Sequence, residues 1–475
     1  MGNRSKELIA NTAVFAISNF SSKVLAFLML PLYTNVLTTG EYGKIDLIIS
    51  GVTLLLPVIT ACLSESALRY GMDKDYSNEE VLTLAMAGVS AGLLFLAAAV
   101  CSAIWIGLLE PICIFVVLIS IPNYYYSLFS MFSRGVEKVK ETGVAGVIAS
   151  VVMVGLNLIF LLVFKKGAEG YLIAYGSSFL VAAAYLVAAG HLTKYVKPRC
   201  LTKASLGLFK KMLGYGIPLI PNRICWWINN TANRYVMNFV IGPSPVGIYS
   251  AAMKIPTILD AIQGVFNQAW QITAIGENDS SDRNCYYKNS FKVYCCLLIF
   301  AASAILVIIN PLADILFGES FYEARFPACI LILSSVLGGM VGFVTAIFNA
   351  YKENRFLIPA TALGAFISVV GTFLSARSFG TCGAAVSNVM AYLAIWITLS
   401  SILKAKFNLM ITPNNFWQAW IVLVIQVAVY TLRDIGFVLY PVEIVGLFAV
   451  AFIEKENLKI IYKTASGWSK NKLKY

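Results

Sequence analysis

Fourteen mainly apolar stretches follow one another along the chain, near 10–33, 45–65, 81–108, 111–132, 143–164, 168–189, 212–238, 246–272, 290–310, 324–350, 356–375, 382–403, 415–432 and 435–453. A helix needs about 20 such residues to cross the ~30 Å hydrocarbon layer of a bilayer. Inside that layer the backbone must satisfy its own hydrogen bonds, which favours helices for segments of this length. The composition agrees: charged residues make up 13% of the chain, against about 25% in an average soluble domain. That is too little charge to cover a water-facing surface. The pattern predicts an all-α polytopic membrane protein of about 14 transmembrane helices. The first stretch lacks a small-residue cleavage site after a short apolar core, so it reads as a retained span and not as a signal peptide.

The net charge of +12 raises the question of a nucleic-acid partner. The lysines and arginines, however, gather in every second loop and in the tail, which is the signature of cytoplasmic loops. The loop 190–211 alone holds Lys194, Lys197, Arg199, Lys203, Lys210 and Lys211. This alternation predicts an even number of spans with both termini in the cytoplasm, and no nucleic-acid binding. The ten cysteines include no CxxC pair and lie mostly in apolar runs. They read as small buried hydrophobes, with neither a disulfide framework nor a metal site. The lone His191 reads as a solvated loop residue.

The chain also repeats itself. Gly146, Ser150, Val151 and Val152 match Gly364, Ser368, Val369 and Val370, and Gly167–Gly170 matches Gly380–Gly383 in the same order. Turns at Gly40–Gly43 and Pro243–Gly247 hold equivalent places in the two halves. Units of six spans keep the same orientation, so the repeat predicts two lobes related by a pseudo-twofold axis along the membrane normal. The expected boundaries are 1–189 for the first lobe, 190–211 for a basic linker and 212–403 for the second lobe. A further helix pair with a basic tail fills 404–475.

One span breaks the apolar rule. In PNRICWWINNTANRYVMNF, Pro221 to Phe239, the residues Arg223, Trp227, Asn230 and Arg234 stand at i, i+4, i+7 and i+11. On a regular helix they form a stripe climbing ~16 Å, with Asn222, Asn229 and Asn233 beside it. An arginine at mid-bilayer costs about 2.5–3.5 kcal/mol and normally faces a bundle interior or a wet cavity. The first span echoes the pattern with Thr12, Asn19 and Lys23. Cations on two equivalent helices point to an anion site, with phosphate as the natural ligand of Arg and Lys.

The intramembrane acids are few. Asp260 lies in span eight, six residues after Lys254, so the two do not share a face. It is a candidate proton or cation carrier, or a partner for Lys23 or Arg223 across the bundle. Glu65 stands four residues before Arg69 at the end of span two. The two read as a helix-end ion pair or as a gate that opens when the pair breaks. Pro218 and Pro221 mark a candidate hinge below the arginines.

The run PLYTNVLTTGEYGKIDL, followed by ESALRYGMDKD, resembles the polysaccharide biosynthesis flippases, the Wzx-type O-antigen and capsule transporters. These belong to the multidrug/oligosaccharidyl-lipid/polysaccharide exporter superfamily. The residues that carry the likeness are Pro31, Tyr33, Leu37, Gly40, Tyr42 and Gly43, then Glu65 and Arg69. The resemblance implies movement of an undecaprenyl-diphosphate-linked oligosaccharide from the cytoplasmic to the outer leaflet by alternating access. It implies a monomer in the bacterial cytoplasmic (inner) membrane, with the polysaccharide polymerase and chain-length machinery as candidate partners. No cofactor is implied, only a proton or sodium gradient as energy source. Basic residues of the first and seventh helices line the cavity in such proteins, which here corresponds to Lys23, Arg223 and Arg234. A lipid II flippase and a multidrug or cation exporter of the same superfamily are the alternatives. An enzyme fits poorly, because the outer loops are short and no nucleophile stands with a base.

Overall fold

The computed structural model of the chain describes residues 25, 27–73, 75–201, 205–276, 282–351, 353–410, 416–432, 436–455 and 457. Among them all regular structure is helical, and eight helices are long and apolar enough to cross a membrane, with two shorter apolar ones after them. The chain is a multi-pass membrane protein, as the apolar stretches predict. Most of the stretch 10–33 lies outside the described residues, and with it Asn19 and Lys23. Packing divides the chain into two compact units, 1–231 and 232–475.

In the first unit the long helices are Thr39–Ile59, Asn78–Trp105, Ile114–Gly135, Val139–Asn157 and Gly167–Ala189. A capping box opens Thr39–Ile59: the Glu41 N–H donates to the Thr38 hydroxyl at 3.2 Å, and the Thr38 N–H donates to the Glu41 carboxylate at 2.9 Å. Such reciprocal bonds satisfy donors that the first helical turn leaves free. Tyr33 and Leu37 just before it, and Tyr42 within its first turn, are buried. The Tyr33 ring meets Tyr171 edge-on at 4.9 Å, and its hydroxyl accepts from the Asn157 amide at 3.1 Å. The motif residues therefore tie the start of the unit to its fifth and sixth predicted spans. Tyr33→Phe strips the buried Asn157 amide of an acceptor and should cost about 1–3 kcal/mol, read as a lower Tm of the detergent-solubilised protein.

The stretch 45–65 predicts one continuous span, and the structure breaks it. Pro57 carries no N–H, and Ala61 and Cys62 take left-handed conformations with φ of 48° and 51°. The Cys62 N–H reaches back to the Pro57 carbonyl at 3.1 Å. One helix ends at Ile59 and a short one, Leu63–Gly71, begins. That short helix docks on Leu206–Gly216: the Ser66 hydroxyl donates to the Met212 carbonyl at 2.8 Å. A Cβ on Gly216 would stand 2.2 Å from the Ala61 carbonyl oxygen.

The second unit runs from Asn233–Ile241 and Pro243–Ala252 through Thr257–Gly276, Arg283–Val307 and Arg325–Ala350 to Leu357–Phe407. A straight helix of 51 residues would be about 77 Å long, far more than a bilayer needs. Gly380, with φ 56° and ψ −135°, breaks it. The repeat expected from the sequence aligns this glycine with Gly167, which sits at φ 52°. Both hold a region of backbone space that residues with a side chain rarely enter. The two arms fold back on each other through small residues, with the Ser375 and Ser387 hydroxyls 3.1 Å apart. A Cβ on Gly383 would lie 2.7 Å from the Ser375 carbonyl oxygen. Such close approach is how helices pack where lipid replaces water. Helices Phe416–Leu432 and Gly436–Ile453 complete the unit.

Candidate functional site

Two breaks aim the most informative pair of side chains in the first unit. The kink at Ala61 and Cys62 starts the helix that carries Glu65, and Ile220–Trp227 follows a 3-10 turn at Ile217–Leu219 that contains Pro218. The Arg223 guanidinium donates to the Glu65 carboxylate at 2.9 Å. The Arg223 side chain is 52% exposed and that of Glu65 22%, so the pair is not sealed by protein. An open ion pair of this kind contributes about 0–1 kcal/mol and yields readily to a stronger anion. The i, i+4 reading of Glu65 with Arg69 is corrected here: Arg69 is exposed, and no ion pair among the described residues joins it to Glu65. A partner 158 residues away takes its place, because the short helix turns Glu65 toward Ile220–Trp227 rather than along its own axis. The Trp227 indole N–H donates to the Ser50 carbonyl at 2.9 Å, which fixes the ring against Thr39–Ile59.

The regular stripe predicted from Arg223 to Arg234 does not persist. Residues Ile228–Ala232 form a π-helical turn, so the 100° step per residue fails between the two arginines. The asparagines assist that turn. The Asn229 amide donates to the Cys225 carbonyl at 3.0 Å, and the Asn230 amide to the Trp226 carbonyl at 2.8 Å. Asn229 is buried and Asn230 is exposed, so Asn230 lies on the open side of the helix, as Arg223 does.

Asn233 and Arg234 belong to the second unit. Asn233 is buried and donates to the Tyr249 hydroxyl at 2.7 Å, while the Arg234 guanidinium lies 2.9 Å from the Met253 sulfur. Asp260 accepts from the Ser335 hydroxyl at 2.6 Å, and Gln263 donates to the Ser335 carbonyl at 2.9 Å. Gly339 makes room for Gln263: a Cβ there would stand 2.8 Å from its amide carbon. Lys254 sits in a turn over 253–256 that splits the predicted eighth span into Pro243–Ala252 and Thr257–Gly276. Asp260 thus bonds a serine of its own unit.

Sequence reasoning missed Ser334, Ser335, Gln263 and Asn388, although the Ser334 hydroxyl bonds the Asn388 side chain at 2.5 Å in the same unit. Serine and glutamine are too common in membrane helices to stand out alone. The signal that could have found them is their spacing: Gln263 follows Asp260 by one helical turn.

A family model described as polysaccharide biosynthesis protein matches residues 8–275. No curated protein sequence matches the chain. Among solved structures, the chain is similar to the lipid II flippase MurJ in an inward closed conformation, with a TM-score of 0.70 at 13% identity over 95% of this chain and 99% of that one. An inward-facing multidrug resistance MATE family transporter of the MOP superfamily gives a TM-score of 0.63 at 14% identity, covering 82% and 98%. A MOP superfamily transporter from Pyrococcus furiosus gives 0.52 at 14% identity, covering 83% and 93%. Identities this low speak for a shared fold and for nothing finer.

Proposed function

The chain belongs to the polysaccharide biosynthesis protein family, and from that premise we propose that it carries undecaprenyl-diphosphate-linked oligosaccharide from the cytoplasmic to the outer leaflet of the bacterial cytoplasmic membrane. The observation that supports this reading is the open Arg223–Glu65 pair, on a helix that also carries Trp227 and leads into the exposed Asn230. A diphosphate offers planar oxygens to the guanidinium fork and more negative charge than one carboxylate. Glu65 keeps Arg223 neutralised while the site is empty, which matters because an unpaired charge in a membrane is costly. Ligand arrival exchanges one anion for another. The Trp227 face and the Asn230 amide suit a sugar, which has apolar ring faces and many hydroxyls.

In this reading residues 1–189 and 212–403 form the two lobes, 190–211 the basic linker, and 404–475 the added helix pair. Both termini are cytoplasmic. Lys23, Asn19, Asn233 and Arg234 complete the headgroup path, while Asp260, Lys254 and Arg69 serve ion coupling or gating. The same diphosphate would suit lipid II, the cargo named for MurJ, so the glycan has to be tested directly. Proteoliposomes holding the purified protein are offered labelled undecaprenyl-diphosphate oligosaccharide, labelled lipid II and a cationic dye. Faster translocation of the oligosaccharide is expected. Transport of lipid II alone, or of the dye alone, would replace the proposal with the corresponding rival.

A further inference from the structure

The helix pair outside the internal repeat holds a buried acid. Glu443 is 2% exposed within the apolar helix Gly436–Ile453. From the neighbouring helix, the Gln426 amide nitrogen donates to the Glu443 main-chain oxygen at 3.0 Å and to its Oε2 at 2.9 Å. The amide oxygen of Gln426 accepts from the Ser303 hydroxyl at 2.9 Å. Ser303 and Gln426 are as buried as Glu443. Gly446 opens the space for this amide, since a Cβ there would stand 2.5 Å from the Gln426 side chain. The amide orientation follows from its neighbours: reversing it would set oxygen against two oxygens.

The remaining carboxyl oxygen, Oε1, is buried without a hydrogen-bond partner, and no ion pair among the described residues reaches Glu443. The ionisable groups that feel its charge are Tyr430 on Phe416–Leu432 and Cys329 on Arg325–Ala350. Arg325, the cation of that neighbourhood, lies over the Tyr322 and Phe326 rings at 4.2 and 4.7 Å. A carboxylate with one side-chain donor and no counter-ion is strongly disfavoured in such surroundings. A proton on Oε1 removes the charge. One helical turn from Gln426, the Tyr430 hydroxyl bonds Asn310, beside the loop that the charge pattern places outside. Gln426 and Tyr430, one turn apart on the same helix, thus carry polar groups from the acid toward Asn310.

We propose that Glu443 is a proton-binding site. Its Oε1–H bond breaks to pass the proton to water arriving from the Asn310 side, and forms again when water returns a proton to the carboxylate. The ligand is a proton and not sodium, because Gln426 turns a donor toward the carboxyl, whereas a hard cation requires oxygens. The inference goes beyond the transported cargo and stands apart from it.

The test is infrared spectroscopy of the purified protein in nanodiscs, at neutral and at alkaline pH. A protonated-carboxyl band is expected at neutral pH, lost at alkaline pH and missing in Glu443→Gln. Gln426→Met, which removes the donor to Oε2, should shift that band in frequency, and it decides the matter if Glu443→Gln does not fold. A band untouched by both variants overturns the proposal. So does one that Glu443→Gln removes but alkaline pH does not, which marks a permanently protonated structural acid. The readout involves no transport, so its failure leaves the flippase reading intact.

Discussion

Arg223→Ala is expected to lower translocation of a diphosphate-linked headgroup by about 10-fold or more, the equivalent of the ~1.5 kcal/mol lower bound for a hydrogen bond to a charged group. The fold should survive the change. Arg223 gives its hydrogen bond to Glu65 in a pair that protein does not seal, and such a pair contributes about 0–1 kcal/mol. Glu65, left without its cation, retains access to water or a proton. Proteoliposome flux and Tm measured on the same preparation separate the two effects. Arg223→Lys keeps the charge but loses the planar fork, and intermediate flux is expected. Undiminished flux in an Arg223→Ala, Arg234→Ala double variant would falsify the proposed anion path.

Gly216→Ala is expected to destabilise the protein by about 1–3 kcal/mol, the usual cost of forcing atoms into a filled space. The added Cβ meets the Ala61 carbonyl oxygen at 2.2 Å and the Ser66 hydroxyl at 3.1 Å. The nearer atom is main chain held in a left-handed kink, so it cannot swing aside as a side chain would. The contact yields only if Leu63–Gly71 lifts from Leu206–Gly216, and that helix carries Glu65. Lower flux should accompany the lower Tm. Wild-type values for both would show that the two helices do not dock in this way. A control at Gly214, where an added Cβ meets nothing, should leave both values unchanged.

The helical class and the places of most spans were legible because hydrophobic length is a local property. The interruptions were not. The kink at Ala61 and Cys62, the turn over 253–256 and the π-turn at Ile228–Ala232 depend on which carbonyls find donors, which no window of hydropathy records. The same distinction governs the candidate site. Arg223, Trp227 and Asn230 could be singled out as polar residues in an apolar span. The ion pair of Glu65 could not, since a helical spacing proposes Arg69 and only packing supplies Arg223. Glu443 passed unnoticed for a related reason. Alone in the sequence it is one acid in a greasy stretch, and only the contacts of Gln426 and Gly446 reveal an enclosed carboxyl.

Gly167 and Gly380 carry a lesson about inheritance. If the two halves descend from one duplicated ancestor, each copy has since been free to exchange most of its side chains. At these two positions there is no side chain to exchange, and both backbones keep a positive φ. What passed down at this corner is a positive φ rather than a chemical group. A third descendant of the same ancestor should be sought by that bend, even where its letters have drifted beyond comparison.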